Sequence, residues 1–159
     1  MSVILRGRFA LLLAVVVLAL SGCGVTIPSD PDGTLDRVQG GVLRVGVSLS
    51  APWTMAGPHA EPAGIEVDLA RAFAGSLGAD VEWTVAGEES LVLDMEHGDL
   101  DLIIGGLTST SAWMDKVALT APYRTAVDER GKKHDHVMAV PMGENAFLVE
   151  LERFLREEG

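Results

Sequence analysis

The chain has 159 residues, with 12 basic residues against 23 acidic ones, a net charge of −11 and a single cysteine. That length fits one domain. A surface this acidic repels nucleic acid and anionic lipid headgroups, and one thiol excludes an intrachain disulfide or a thiolate metal cluster.

Arg6 and Arg8 precede an unbroken apolar run from Phe9 to Leu20. The run is shorter than the about 20 residues that cross a bilayer, so residues 1–22 are expected to be an export signal. It ends in Leu20-Ser21-Gly22-Cys23, which resembles the lipobox of bacterial lipoproteins. The resemblance implies a diacylglycerol on Cys23 and attachment to the periplasmic or extracellular face of a membrane. A plain secretory signal and a single-pass anchor are the alternatives. Loss of Arg6 and Arg8 makes the remaining chain still more acidic, so attachment would rest on the lipid alone. Residues 23–40, rich in Pro, Gly and Asp up to Gly33, read as a tether.

Periodic sequence starts at Val42, where Val42, Leu43, Val45 and Val47 predict a buried strand. Residues 48–62 hold three prolines and read as a loop. Ile65, Leu69, Phe73 and Leu77 then fall on one helical face, with Gly78 as the stop. Val81, Trp83 and Val85 alternate as a strand. A helix over 87–95 places Leu91, Val92 and Met95 inward, and Leu102 to Ile104 is a short apolar strand. This alternation predicts an α/β fold built from parallel βαβ units. A last helix over 144–156 is expected to bury Phe147, Leu148, Leu151, Phe154 and Leu155.

Ligands of open α/β sheets sit beyond the carboxyl ends of the strands. Here those ends are the loops 48–53, 85–90 and 105–113. Trp53, Trp113, Glu88, Glu89, Thr108 and Thr110 could form half a cage for a cationic or amine ligand, because indole faces attract cations and carboxylates complement them. The competing reading packs Trp113 on the sheet end and makes Glu88 and Glu89 the favoured acidic start of a helix. His59, His97, His134 and His136 lack metal-ligand spacing, and His134 and His136 are expected on opposite faces of a strand. Neither a metal nor a cofactor is expected. No nucleophile–base pair stands out, so the reading is of a binding protein and not an enzyme.

Three stretches carry a family resemblance. They are Gly41-Val-Leu-Arg-Val-Gly-Val-Ser48 with Ala51-Pro52-Trp53, Gly64-Ile-Glu-Val-Asp68-Leu69-Ala70, and His97-Gly-Asp-Leu-Asp101-Leu-Ile-Ile-Gly-Gly-Leu-Thr108-Ser-Thr110 running on to Leu119-Thr-Ala-Pro-Tyr123. Together they resemble the family 3 extracellular solute-binding proteins of ABC importers. The resemblance implies a periplasmic-binding-protein-like type II fold, with a mixed, mostly parallel sheet flanked by helices. It implies two lobes as well, yet only Asp128–Asp135 separates the outgoing segment 123–127 from the returning segment 136–140. Eight polar residues suit a hairpin turn with Gly131 at positive φ. Residues 41–159 are therefore read as one lobe whose hinge strands are joined by a turn at 128–135. Against the family pattern, Trp113 stands where an arginine clamps the ligand carboxylate. Ser48 stands where an acidic residue is common, and Glu88 near a common aromatic position.

The candidate ligand-binding residues are accordingly Ser48, Trp53, Glu88, Gly106, Thr108, Thr110 and Trp113. The leading reading is a lipid-anchored receptor for a small amino-acid or amine-like solute, partnered by a membrane permease. The alternative is a single-lobe module that docks on a membrane protein without a solute of its own.

Overall fold

A computed structural model describes residues 29–56 and 61–158 of the chain. The leader, the lipidation candidate Cys23 and His59 lie outside the described residues. The elements in order are α1 (Thr34–Val38), β1 (Val42–Val47), β2 (Met55–Ala56), β3 (Pro62–Ala63), α2 (Ile65–Ser76), β4 (Asp80–Val85), α3 (Glu88–Glu96), β5 (Leu102–Ile104), β6 (Ala118–Leu119), β7 (Arg124–Val127), β8 (Lys133–His136), β9 (Ala139–Val140) and α4 (Asn145–Glu158).

One five-stranded sheet, ordered β4-β1-β5-β9-β6, organises the lobe. β1 runs parallel to β4 from Val42↔Asp80 to Val47↔Val85, and parallel to β5 from Val45↔Leu102 to Val47↔Ile104. β9 returns antiparallel to both β5 and β6, which makes the sheet mixed. The two-residue side-chain period of a strand divides the core in two. Leu43, Val45, Val47, Leu102 and Ile104 face α1, α2 and α4, where Val38, Val67, Phe73, Phe147 and Leu151 meet them. Ile103 points the other way, into a second cluster with Leu91, Val92 and Met95 of α3. Gly46 sits on that second face because Leu91 and Leu100 approach within 3 Å of where a Cβ would be. Phe73 packs edge-on to Phe147 at 5.7 Å and tilted on Phe154 at 5.4 Å, pinning α4 to α2.

Several expectations are corrected. From Ser29 onward the stretch read as tether is part of the lobe: Val38 is fully buried in the main core. The Asp30 carboxylate accepts the N–H groups of Ala146 (2.6 Å) and Phe147 (3.0 Å) at the start of α4. Glu144 returns the arrangement by accepting from Asp32 and Thr34. Helix α2 forms as read, but its buried face is Glu66, Val67, Ala70, Phe73 and Ala74. The loop 48–62 contains β2, which pairs with β3. Between β7 and β8 the turn is Asp128–Lys132, shorter than the eight residues expected, since Lys133–Asp135 pair with Thr125–Val127 in an antiparallel ladder. Gly131 has φ of 79°, and the Asp128 carboxylate accepts from the N–H of Arg130 and of Lys132.

Candidate functional site

The carboxyl ends of β1 and β5 open onto a depression of about 500 Å³, lined by Ser50 to Trp53, Gly106 and Thr108 on one side and by Ala126 to Glu129, His134 and His136 on the other. Its size lies within the range of small-solute pockets. The Trp53 and His136 rings stack at 3.8 Å between centroids with 35° between planes. Trp53 is fixed through its backbone, donating to Ser50 and accepting from the N–H of Glu66 at 3.0 Å. Gly106 has φ of 69°, and a Cβ there would come within 2.6 Å of the Trp53 ring. Only glycine allows that loop to pass beneath the indole.

Glu66 holds this loop in place. Fully buried on α2, its carboxyl accepts the N–H of Gly105 at 2.7 Å, the N–H of Gly106 at 2.9 Å and the Tyr123 hydroxyl at 2.6 Å. Burial pushes Glu66 above the ordinary carboxylate range, against the pull of these three donors. Burial together with the adjacent carboxyl pushes the Tyr123 phenol up as well. Glu66 lies within the stretch Gly64–Ala70, where local pattern gives it no role. The signal was a carboxylate beside the apolar positions of an amphipathic helix, which needs a buried partner.

The predicted site residues divide between two places. Trp53, Gly106 and Thr108 line the depression. Thr110 is exposed, with its hydroxyl 3.2 Å from that of Thr108. Ser48 packs its Cβ against Gly105 and gives its carbonyl to the buried Thr54 hydroxyl at 2.5 Å. Glu88 and Trp113 meet each other instead: the indole N–H donates to Glu88 at 3.0 Å, and Trp113 leans on the α3 cluster. The two tryptophans therefore do not face one another across a cage.

His136 is a lining residue that local sequence does not mark, and it shares a face with His134, contrary to the opposite faces expected. Residues i and i+2 of a strand share a face, and both line the depression. His134 is engaged with Asp128 at 3.1 Å. His136 is buried, and its Nδ1 is the one buried side-chain polar atom without a hydrogen-bond partner among the described residues. Burial lowers its basicity, opposed by the neighbouring Gly106 and Leu107 backbone. No group of three or more metal-ligating side chains occurs among the described residues.

A larger cavity, about 660 Å³, lies at the opposite, amino ends of the strands, lined by Arg37, Arg44, His97, Asp101 and Lys116 among others. Its floor is a closed ion cluster in which the fully buried Asp101 receives Arg44 at 2.6 Å and Arg37 at 2.7 Å. Burial raises the Asp101 pKa, but the hydrogen bonds from Arg37 and Arg44 outweigh it and hold the group below its ordinary value. The Asp101 carboxylate is satisfied by both guanidiniums, and the pairing with Arg37 ties α1 to the sheet.

Residues 43–157 match the family model of bacterial extracellular solute-binding proteins, family 3. Domain 1 of TmArgBP, in its arginine-bound form, is 27% identical with a TM-score of 0.67, over 77% of this chain and 97% of that one. The ancestral cationic amino acid solute-binding protein AncCDT-1 shares the fold with a TM-score of 0.68 at 16% identity, over 78% of this chain and 93% of that one. Among curated relatives, membrane-bound lytic murein transglycosylase F of Vibrio campbellii is 41% identical over 106 residues, 65% of this chain and 19% of that protein. The protein of that name from Desulfosudis oleivorans is 35% identical over 83 residues, 52% of this chain and 18% of its own. The chain thus spans about a fifth of the length of these relatives. No helix among the described residues is long and apolar enough to cross a membrane. With its sheet order, its carboxyl-edge depression and the family match over most of its length, the chain belongs to the bacterial extracellular solute-binding proteins of family 3, as a single α/β lobe.

Proposed function

We propose that this lobe is an extracytoplasmic receptor for a small amino-acid or amine-like solute, held at the carboxyl edge and carried on the membrane surface by a lipid on Cys23. Delivery to an ABC-type permease is the matching role. The observation that carries the reading is the Trp53–His136 stack, set in a depression whose lining includes Asp128 and Glu129 but no Lys or Arg. An indole face and carboxylates favour a cation, and the missing guanidinium disfavours a ligand held mainly by its carboxylate. The arginine-bound single domain of TmArgBP supports the idea that one lobe can retain a solute. Titration calorimetry with arginine, putrescine, betaine and glutamate tests it. Saturable heat with the cationic members and not with glutamate is expected; no saturable heat with any of them would sink the reading.

A second reading draws on the murein transglycosylase relatives at 35–41% identity. Here the lobe serves as the ligand-sensing or docking part of cell-wall machinery, with Leu49 and Met114, both more than half exposed, at the contact surface. Titration with soluble murein fragments separates the two. Heat with fragments and none with free amines favours this second role.

A further inference from the structure

A family member of ordinary size encloses its solute between two lobes, and here the place of the second is taken by thirteen residues, 124–136, forming β7, a turn and β8. We propose that this hairpin is the second wall of the solute site and that Glu129 at its tip selects for positive charge. The proposal rests on the reading of the carboxyl edge as a solute site.

The hairpin is a two-stranded sheet separate from the main one, and such a unit is marginal alone. Its base is fixed to the loop after β5, where Ser109 N–H donates to Asp135 at 2.9 Å and Val137 N–H to Leu107 at 3.0 Å, and it is closed on itself by Tyr123 N–H donating to His136 at 3.1 Å. From that base the strands carry Ala126 to Glu129 into the same lining as Trp53. Ala126 is paired with His134 and so shares the face of the hairpin that carries both histidines toward the depression. Asp128 is occupied by the turn and by His134. Glu129 enters none of the ion pairs among the described residues, so its charge is available across the depression. The unpartnered Nδ1 of His136 belongs to the same lining. A buried polar atom with no partner is uncommon in folded proteins, and this one lies beside the Trp53 ring.

The test is calorimetry on the whole chain, with arginine and its neutral analogue citrulline as probes. In one variant residues 127–133 are replaced by an Asn-Gly turn, which joins Ala126 to His134 in a two-residue hairpin; the other is Glu129→Lys. The unaltered protein is expected to prefer arginine. The shortened hairpin should lose about tenfold or more in arginine affinity with an unchanged melting temperature, and Glu129→Lys should abolish the preference over citrulline. Arginine binding within about twofold of the unaltered protein in both variants would overturn the proposal while leaving a one-walled solute site standing. Binding of neither probe by the unaltered protein would remove the solute site and the wall with it. Should the shortened form fail to fold, Glu129→Lys decides the matter alone.

Discussion

The Tyr123 hydroxyl donates to Glu66 across 2.6 Å, joining the last residue before the hairpin to the helix that holds the glycine loop. Three donors converge on that one carboxyl, two from the loop after β5 and one from the residue that leads into the hairpin. The site is therefore shaped from within the core.

Glu66→Ala should destabilise the lobe by about 2–4 kcal/mol, because two glycine N–H groups and a phenol lose their acceptor in a buried place. Glu66→Gln can keep all three contacts, its oxygen facing the glycines and its amide facing Tyr123, and should fall within about 1 kcal/mol of the parent. The pH response separates them further. A carboxyl raised on folding contributes full stability below its ordinary value of 4.5 and loses it as pH climbs through the folded value. Urea unfolding from pH 4 to 8 should show the Gln variant gaining on the parent over that climb. A constant difference would contradict the assignment.

Asp101 behaves in the opposite sense. Its folded value is held below 3.8, so its contribution is present above that point and is lost as pH falls through the folded value. Asp101→Asn should cost about 3 kcal/mol, since it strands Arg37 and Arg44. Arg37→Ala should cost only about 1 kcal/mol, because that side chain is 43% exposed. Equal losses in denaturant midpoint would show that the cluster is misdescribed.

At the start of α4, Asp30→Ala should lower stability by about 1–2 kcal/mol through loss of a helix cap. Thermal melting of a form starting at residue 41 should show a larger loss, because Val38 and the Glu144 contacts leave with it. Melting unchanged by both alterations would return residues 29–40 to the status of a tether.

The tryptophans should report separately. Trp83 lies on β4 beneath the Arg71 guanidinium, and Trp113 is tied to Glu88. Only Trp53 lines the depression. A solute-induced fluorescence change should vanish in Trp53→Phe and persist in Trp113→Phe. The reverse pattern would move the site to the α3 side.

Strands β1 and β5 were readable because Leu43, Val45, Val47 and Leu102–Ile104 are apolar runs bounded by loops, which local periodicity captures. Helix α1 was hidden: five residues give too little period, and its start is held by Glu144, which accepts the Thr34 N–H from 110 positions away, together with Asp30, which accepts the N–H of Leu35. On α2 the apolar spacing marked Leu69 and Leu77, while the buried face turned toward Glu66. A carboxylate is placed inward by its partners, and those partners are Gly105, Gly106 and Tyr123, far along the chain. The site shows the same division. Trp53, Gly106 and Thr108 follow from strand ends, whereas His136 enters only through the fold of the hairpin. Trp113 was misplaced because position in a loop does not reveal which side of the sheet an indole turns to.

The Asp30 and Glu144 stitch has a mechanical meaning. Residues 30–37 join the body at the amino ends of β1 and β5, where Arg37 meets Asp101. Any load from the chain upstream of Ser29 would fall on those few hydrogen bonds before it reached the sheet. The recess beside Trp53 opens at the far pole, so a molecule held from that end would present its recess outward, to the space it samples.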